Sequence, residues 1–317
     1  MPKAPVFTPK APIEKLPLAV RKASSSSYFF FHQHDHSMLM HVSWCYKISG
    51  LLGFPLKINT NVNAVWAYAQ SDTATQASST FAGYVDGFIS ALKNYVEHFG
   101  DLGKEYFKKA VTNAELTVTV NEAGECADSI TADVKDGVFR ILFHQDRLGY
   151  NQSWLNEPLI KAIDQAPQQG FGLLAKHSIE KEYNDEIDDV RQEIADILAL
   201  PDVVLDANFE ENYAKLLLLK KDDQDWQKNS GGACLQYFRD GFKYQINNQG
   251  FKGDDMLQEG FAEIVTSKTI KLRLVDKTQN GYSNETIVEN GTVYLQATPD
   301  RWLYDVSEAG SGLLDKL

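Results

Sequence analysis

Four of the seven histidines fall within ten residues: His32, His34 and His36 at every second position, then His41. Neutral imidazoles are common ligands for divalent transition metals, and this spacing serves two geometries. On a strand, His32, His34 and His36 share one face. On a helix, His32 and His36 stand one turn apart, with His34 and His41 on another face. Either arrangement makes a candidate metal site for Zn²⁺, Cu²⁺ or Fe²⁺, with Asp35 or Glu105 as an acid–base group. The competing reading is a solvated or interface segment whose histidines have no common task. The string also departs from the metallo-hydrolase pattern H-x-H-x-D-H, because Asp35 follows His34 directly and no downstream ligands appear.

A second group of polar residues recurs along the chain. Asp86, Asp101, Glu105 and Asp146-Arg147 reappear as Asp240, Asp255, Glu259 and Asp300-Arg301. Carboxylates held a few ångströms apart in a cleft could do acid–base work. Recurrence points the other way, since an active site is normally single and what recurs is what a fold requires. Asp-Gly-Phe within a helix implies close helix packing at the glycine, and Asp-Arg after a final strand implies a hydrogen-bonded ion pair. Cys234 follows Ser230-Gly-Gly-Ala at a helix start, where the dipole could lower a thiol pKa. No histidine follows it, so the chain order of papain-type enzymes is not met, and a packed helix cysteine is the plainer reading. Phosphate loops, HExxH, G-x-S-x-G and calcium loops are absent from the sequence.

The elements that must position these residues come in two similar sets. Residues 81–150 lie on residues 235–304 without a gap at an offset of 154, and 15 of the 70 pairs are identical. Upstream the offset is 146–147, pairing Leu52-Gly-Phe-Pro55 with Leu198-Ala-Leu-Pro201. In the second set, 177–200 has helical apolar spacing ended by Pro201, Asn208 is placed to cap a further helix, and 222–232 reads as a polar loop. Helices are expected over 233–245 and 254–265. Thr269-Ile-Lys-Leu-Arg-Leu274 then alternates as a half-buried strand, and Asn290-Gly291 marks a tight turn before another. Leu116, Val118, Val120 and Asp136-Gly137 repeat that pattern in the first set. Residues 151–172, with Pro158, Pro167 and Gly170-Phe-Gly172, read as the connection.

The expected fold class is therefore α+β: two tandem related modules from internal duplication, each several helices followed by antiparallel β-strands. Module one spans 28–165 and module two 166–317. Packing about a pseudo-twofold axis would leave an intermodule groove for a small ligand. Residues 1–27 form a basic Pro-rich arm, with Lys3, Lys10, Lys15, Arg21 and Lys22 against Glu14, a net of +4. With −12 overall, the remainder carries −16. Prolines 2, 5, 9, 12 and 17 favour an extended conformation there, suited to docking on an acidic protein partner or on a second copy.

The acidic balance disfavours nucleic-acid binding, and no apolar run has the length of a membrane span or signal peptide. Cys45, Cys126 and Cys234 are odd in number and unmatched between the sets, which suits a reducing, cytoplasmic interior. The sequons Asn151-Gln-Ser, Asn284-Glu-Thr and Asn290-Gly-Thr would matter only on export, as in a secreted toxin or lectin-like protein. The functional expectation is a soluble, non-enzymatic binding or assembly protein. The alternative is a metal-dependent enzyme using His32, His34, His36 and His41.

Overall fold

The structure is a computed structural model and describes residues 35–59, 65, 68–69, 77–122, 129–167, 170–220 and 225–317. The arm over 1–27, His32, His34 and Cys126 lie outside the described residues. The chain is mixed α and β and divides into two compact units, Met1–Gln168 and Gln169–Leu317. No helix among the described residues is long and apolar enough to cross a membrane.

In the first unit, α1 (Asp35–Leu52) leads to a three-residue strand, β1 (Lys57–Asn59), and later to α2 (Ala77–Ala110), two helical segments that meet at a kink at left-handed Gly100 (φ 58°). Strands β2 (Glu115–Val120), β3 (Ile130–Lys135) and β4 (Val138–Phe143) follow, and the sheet order is β1-β2-β4-β3. Leu116, Val118 and Val120 are buried in alternation, as a strand with one covered face requires. The core side is filled by rings: Phe139 lies 5.2 Å from Phe88 and 5.8 Å from Phe107, centroid to centroid.

The second unit begins with α4 (Leu173–Ser178) and a π-helical turn, Ile179–Tyr183, before α5 (Ile187–Leu198). The helix α3 (Asn156–Asp164) precedes these, in the first unit. Next come β5 (Val204–Asp206), α6 (Phe209–Leu219) and α7 (Ser230–Gln236), the last running through a π-helical stretch, Tyr237–Lys243, into α8 (Tyr244–Asn248). Helix α9 (Asp255–Ile264) and strands β6 (Thr269–Leu274), β7 (Asn284–Glu289) and β8 (Thr292–Ala297) complete it, with sheet order β5-β6-β8-β7.

Both sheets correct the expectation of antiparallel strands, because they are mixed. Only β3–β4 and β7–β8 are antiparallel, whereas β1–β2, β2–β4, β5–β6 and β6–β8 are parallel. The hairpin partners are set by a local cause. Asp136 (φ 52°) and Gly137 (φ 72°), like Asn290 (φ 53°) and Gly291 (φ 73°), supply the two consecutive left-handed residues of a two-residue turn. The final strand then inserts beside β2 or β6 instead of staying outermost, and the direction of that pairing follows from the path of the chain. Alternating burial looks the same in either direction.

Several helix expectations are also corrected. The helix expected over 177–200 is interrupted at 184–186, and α5 ends at Ala199 in a left-handed conformation (φ 51°). Asn208 does not cap α6 through its side chain; it is left-handed (φ 49°), and its amide donates to Glu211 instead, at 2.9 Å. Asp254 does cap α9, accepting from the Leu257 amide at 3.1 Å. The supposed loop at 222–232 contains a 3₁₀ turn, Asp225–Asn229, with Trp226 and Gln227 buried, and helix from Ser230. The supposed connection holds α3, whose Leu159 and Ile163 are fully buried, and Pro158 is tolerated in its first turn.

Candidate functional site

Of the four candidate metal ligands, His36 and His41 fall on α1, and His32 and His34 lie outside the described residues. Nδ1 of His41 lies 3.8 Å from the Sγ of Cys45, one turn along the helix. Among the described residues, no group of three or more His, Cys, Asp or Glu side chains converges to hold a metal.

The recurring carboxylates are dispersed. Asp86 accepts from the indole of Trp44 at 2.8 Å, while Asp240 pairs with Arg239, which also reaches Glu186 at 2.7 Å. Asp101 and Glu105 pair along the surface of α2 with Lys104 and Lys109. The Asp-Arg pairs build tight turns after the last strand. The amide of Arg147 donates to the His144 carbonyl (2.9 Å), and that of Tyr150 to the Arg147 carbonyl (3.1 Å). Arg301 and Tyr304 repeat this with Thr298 and Arg301, at 3.0 Å each.

The two Asp-Gly-Phe glycines mark close approach, but to backbone rather than to another helix. A Cβ on Gly87 would collide with the carbonyl of Gln152, and one on Gly241 would sit 2.6 Å from the carbonyl oxygen of Val306. Of the sequons, Asn284 is buried in β7, and its amide donates to the carbonyls of Tyr304 and Asp305 at 2.7 Å.

Cys234 overturns the dipole argument. The first amides of α7 are already taken, Gly231 N–H by Ser178 Oγ (2.9 Å) and Gly232 N–H by the Glu182 carboxylate (3.0 Å). The thiol is buried, and burial pushes its pKa up rather than down. Native protein should therefore leave Cys234 unlabelled by iodoacetamide at pH 8, with labelling only on denaturation, read by peptide mass spectrometry. The linkage has a definite sign. The folded thiol stays neutral above its ordinary value of 9.0, so its contribution to stability is complete below pH 9 and is lost as pH rises. Burial raises Tyr84 as well, to about 12 from 10.0, and acts in the same direction. Urea midpoints should fall between pH 8 and pH 11, less steeply in Cys234→Ala.

The feature best suited to recognition lies where the sequence suggested only a connection. A surface recess of about 480 Å³ in the first unit is bounded by Ser129 and Ile130 at the start of β3, by Arg147 and Asn151 in the turn after β4, and by Trp154 and Glu157 at the start of α3. Left-handed Asn151 (φ 53°) turns the chain, its carbonyl accepting from the Trp154 amide at 2.8 Å. That turn leaves Trp154 68% exposed, with Tyr150 nearby in sequence also exposed. Arg147 Nη1 reaches Ser129 Oγ at 3.5 Å. A lone Trp in the polar run Asn151-Gln-Ser-Trp-Leu-Asn156 was the sequence signal for it. A recess of the second unit, lined by Glu193, Arg239, Asp240, Lys243 and Tyr244, is charged, but its ions pair with one another: Arg239 with Asp240, and Lys243 with Glu193.

No protein-family model, no curated protein and no solved structure matches this chain.

Proposed function

We propose that the chain is an internally duplicated binding or assembly protein. For duplication, the support is register. Adding 154 to the bounds of β2, β3 and β4 (115–120, 130–135, 138–143) yields those of β6, β7 and β8 (269–274, 284–289, 292–297). Adding 147 to β1 (57–59) yields β5 (204–206). The left-handed residues Ala114, Asp136 and Asn151 match Lys268, Asn290 and Asp305 at the same 154 offset. Tyr84 accepts from the Gly149 amide, and Tyr237 from that of Leu303, one residue out of register along the helix. The π-helical stretch beginning at Tyr237 absorbs such a slip.

The observation that carries the binding reading is Trp154, exposed beside Arg147 in the first-unit recess. Trp, Tyr and Arg dominate the energetics of protein interfaces, and leaving a large indole in water costs free energy that a partner recovers. The arm over 1–27 adds a second element, since its +4 complements a body of −16 on another copy. Sedimentation velocity over a concentration series tests both. The full chain should self-associate at low salt and less so at 0.5 M NaCl; deleting 1–27 should abolish the salt-sensitive part, and Trp154→Ala should weaken the remainder about tenfold. Three identical monomers would refute the assembly reading.

A further inference from the structure

Helix α1 presents an imidazole and a thiol side by side. Its buried face is Trp44, Ile48 and Leu52, and the Trp44 indole donates to Asp86 of α2 at 2.8 Å, which holds α1 against its neighbour. His41 and Cys45 flank that face and are only half-buried. They stand one turn apart, with Nδ1 3.8 Å from Sγ. A thiol is a weak donor, and at this distance a hydrogen bond between the two contributes little. The same two atoms are good metal ligands once the thiol gives up its proton. With about 2.0 Å from metal to nitrogen and about 2.3 Å from metal to sulfur, an ion joining them would see the two at roughly 125°. That angle is close to trigonal.

Ligand type and number narrow the ion. Structural zinc takes four donors, and among the described residues no third His, Cys, Asp or Glu joins these two. Calcium and magnesium require oxygen. A thiolate beside an imidazole, with few further donors, suits a soft closed-shell ion of low coordination number, and thiolate and thioether ligands select Cu(I). Composition points the same way. Met38 and Met40 are two of the chain's four methionines, and positions 38, 41 and 45 of α1 follow the three-then-four spacing of one helix face. We propose that α1 carries a Cu(I) site whose ligands are Nδ1 of His41 and Sγ of Cys45. It shares only His41 with the four histidines singled out by spacing. It also belongs to the first unit alone: at the offset of 146 that pairs Leu52 with Leu198, Ile187 and Arg191 stand in place of His41 and Cys45.

Alkylation of the full, reduced chain under nitrogen tests this, with Cu(I) alone as the probe. One equivalent should slow iodoacetamide labelling of Cys45 about tenfold or more and leave Cys126 unaffected, read by peptide mass spectrometry. In competition with bicinchoninate, Cys45→Ser should lose Cu(I) affinity about a hundredfold and His41→Ala about tenfold. Protection of neither cysteine, or of Cys126 in place of Cys45, overturns the site. Affinity in His41→Ala equal to that of the unsubstituted chain would leave a thiol acting alone and overturns the pair. Equal protection of Cys45 by one equivalent of Zn²⁺ overturns the ion assigned. Labelling of the unsubstituted chain decides the matter even if a variant fails to fold.

Discussion

Alanine at Gly87 or Gly241 is expected to destabilise its own unit by about 3 kcal/mol, against the usual benefit of removing glycine from a helix. The added methyl group meets backbone, the carbonyls of Gln152 and Val306, and Ala309 Cβ at 2.8 Å from the second site. Backbone cannot rotate away as a side-chain end can, so the helix or the post-sheet turn must shift. Gly260 in α9 provides the control, because a Cβ there meets nothing within 4 Å and its φ is not left-handed. Gly260→Ala should stabilise by roughly 0.5–1 kcal/mol. Denaturant midpoints of the three variants check this; equal effects at all three positions would mean that the glycines are incidental to packing.

Asn212→Val is expected to cost the second unit about 3 kcal/mol although it installs the residue found at the matched position, Val65. Asn212 is 2% exposed, and its amide extends the edge of β6 beyond the reach of the three-residue β5. Nδ2 donates to the carbonyls of Ala207 (2.9 Å) and Leu272 (3.1 Å), while Oδ1 accepts from the Leu274 amide (2.9 Å). Valine fills the space and strands all three groups away from water. Hydrogen exchange gives the specific reading: the Leu274 amide should lose protection more than the other amides of β6. Uniform loss along the strand would point to a packing defect instead.

The same position shows why only part of the site was legible beforehand. A single Asn inside an amphipathic helix carries no pattern, and its value depends on a strand sixty residues later. Trp154 went unread in the sequence although it is an odd residue in a polar run, because its exposure follows from the left-handed turn at Asn151, which spacing does not reveal. For Cys234 the packed helix cysteine that the sequence favoured is what the structure has, buried at 3% exposure, and the alternative of a thiol activated at the helix start fails. The groups that claim the first amides of that helix come from the end of α4 (Ser178) and from the π-helical turn after it (Glu182), and the helical spacing over 177–200 does not show that they reach Gly231 and Gly232.

What the sequence determined by itself was local and short-ranged. Alternation placed β2 and β6, two consecutive left-handed residues placed the hairpins at Asp136-Gly137 and Asn290-Gly291, and Asp254 placed the start of α9. Each rests on backbone preferences within a few residues. Tertiary structure decided the rest: the parallel pairing of β2 with β4 and β6 with β8, the neutral thiol of Cys234 and the exposed Trp154. These depend on which distant groups exclude water from a residue and which offer it a partner. That is a property of the packed chain, and spacing along the sequence does not encode it.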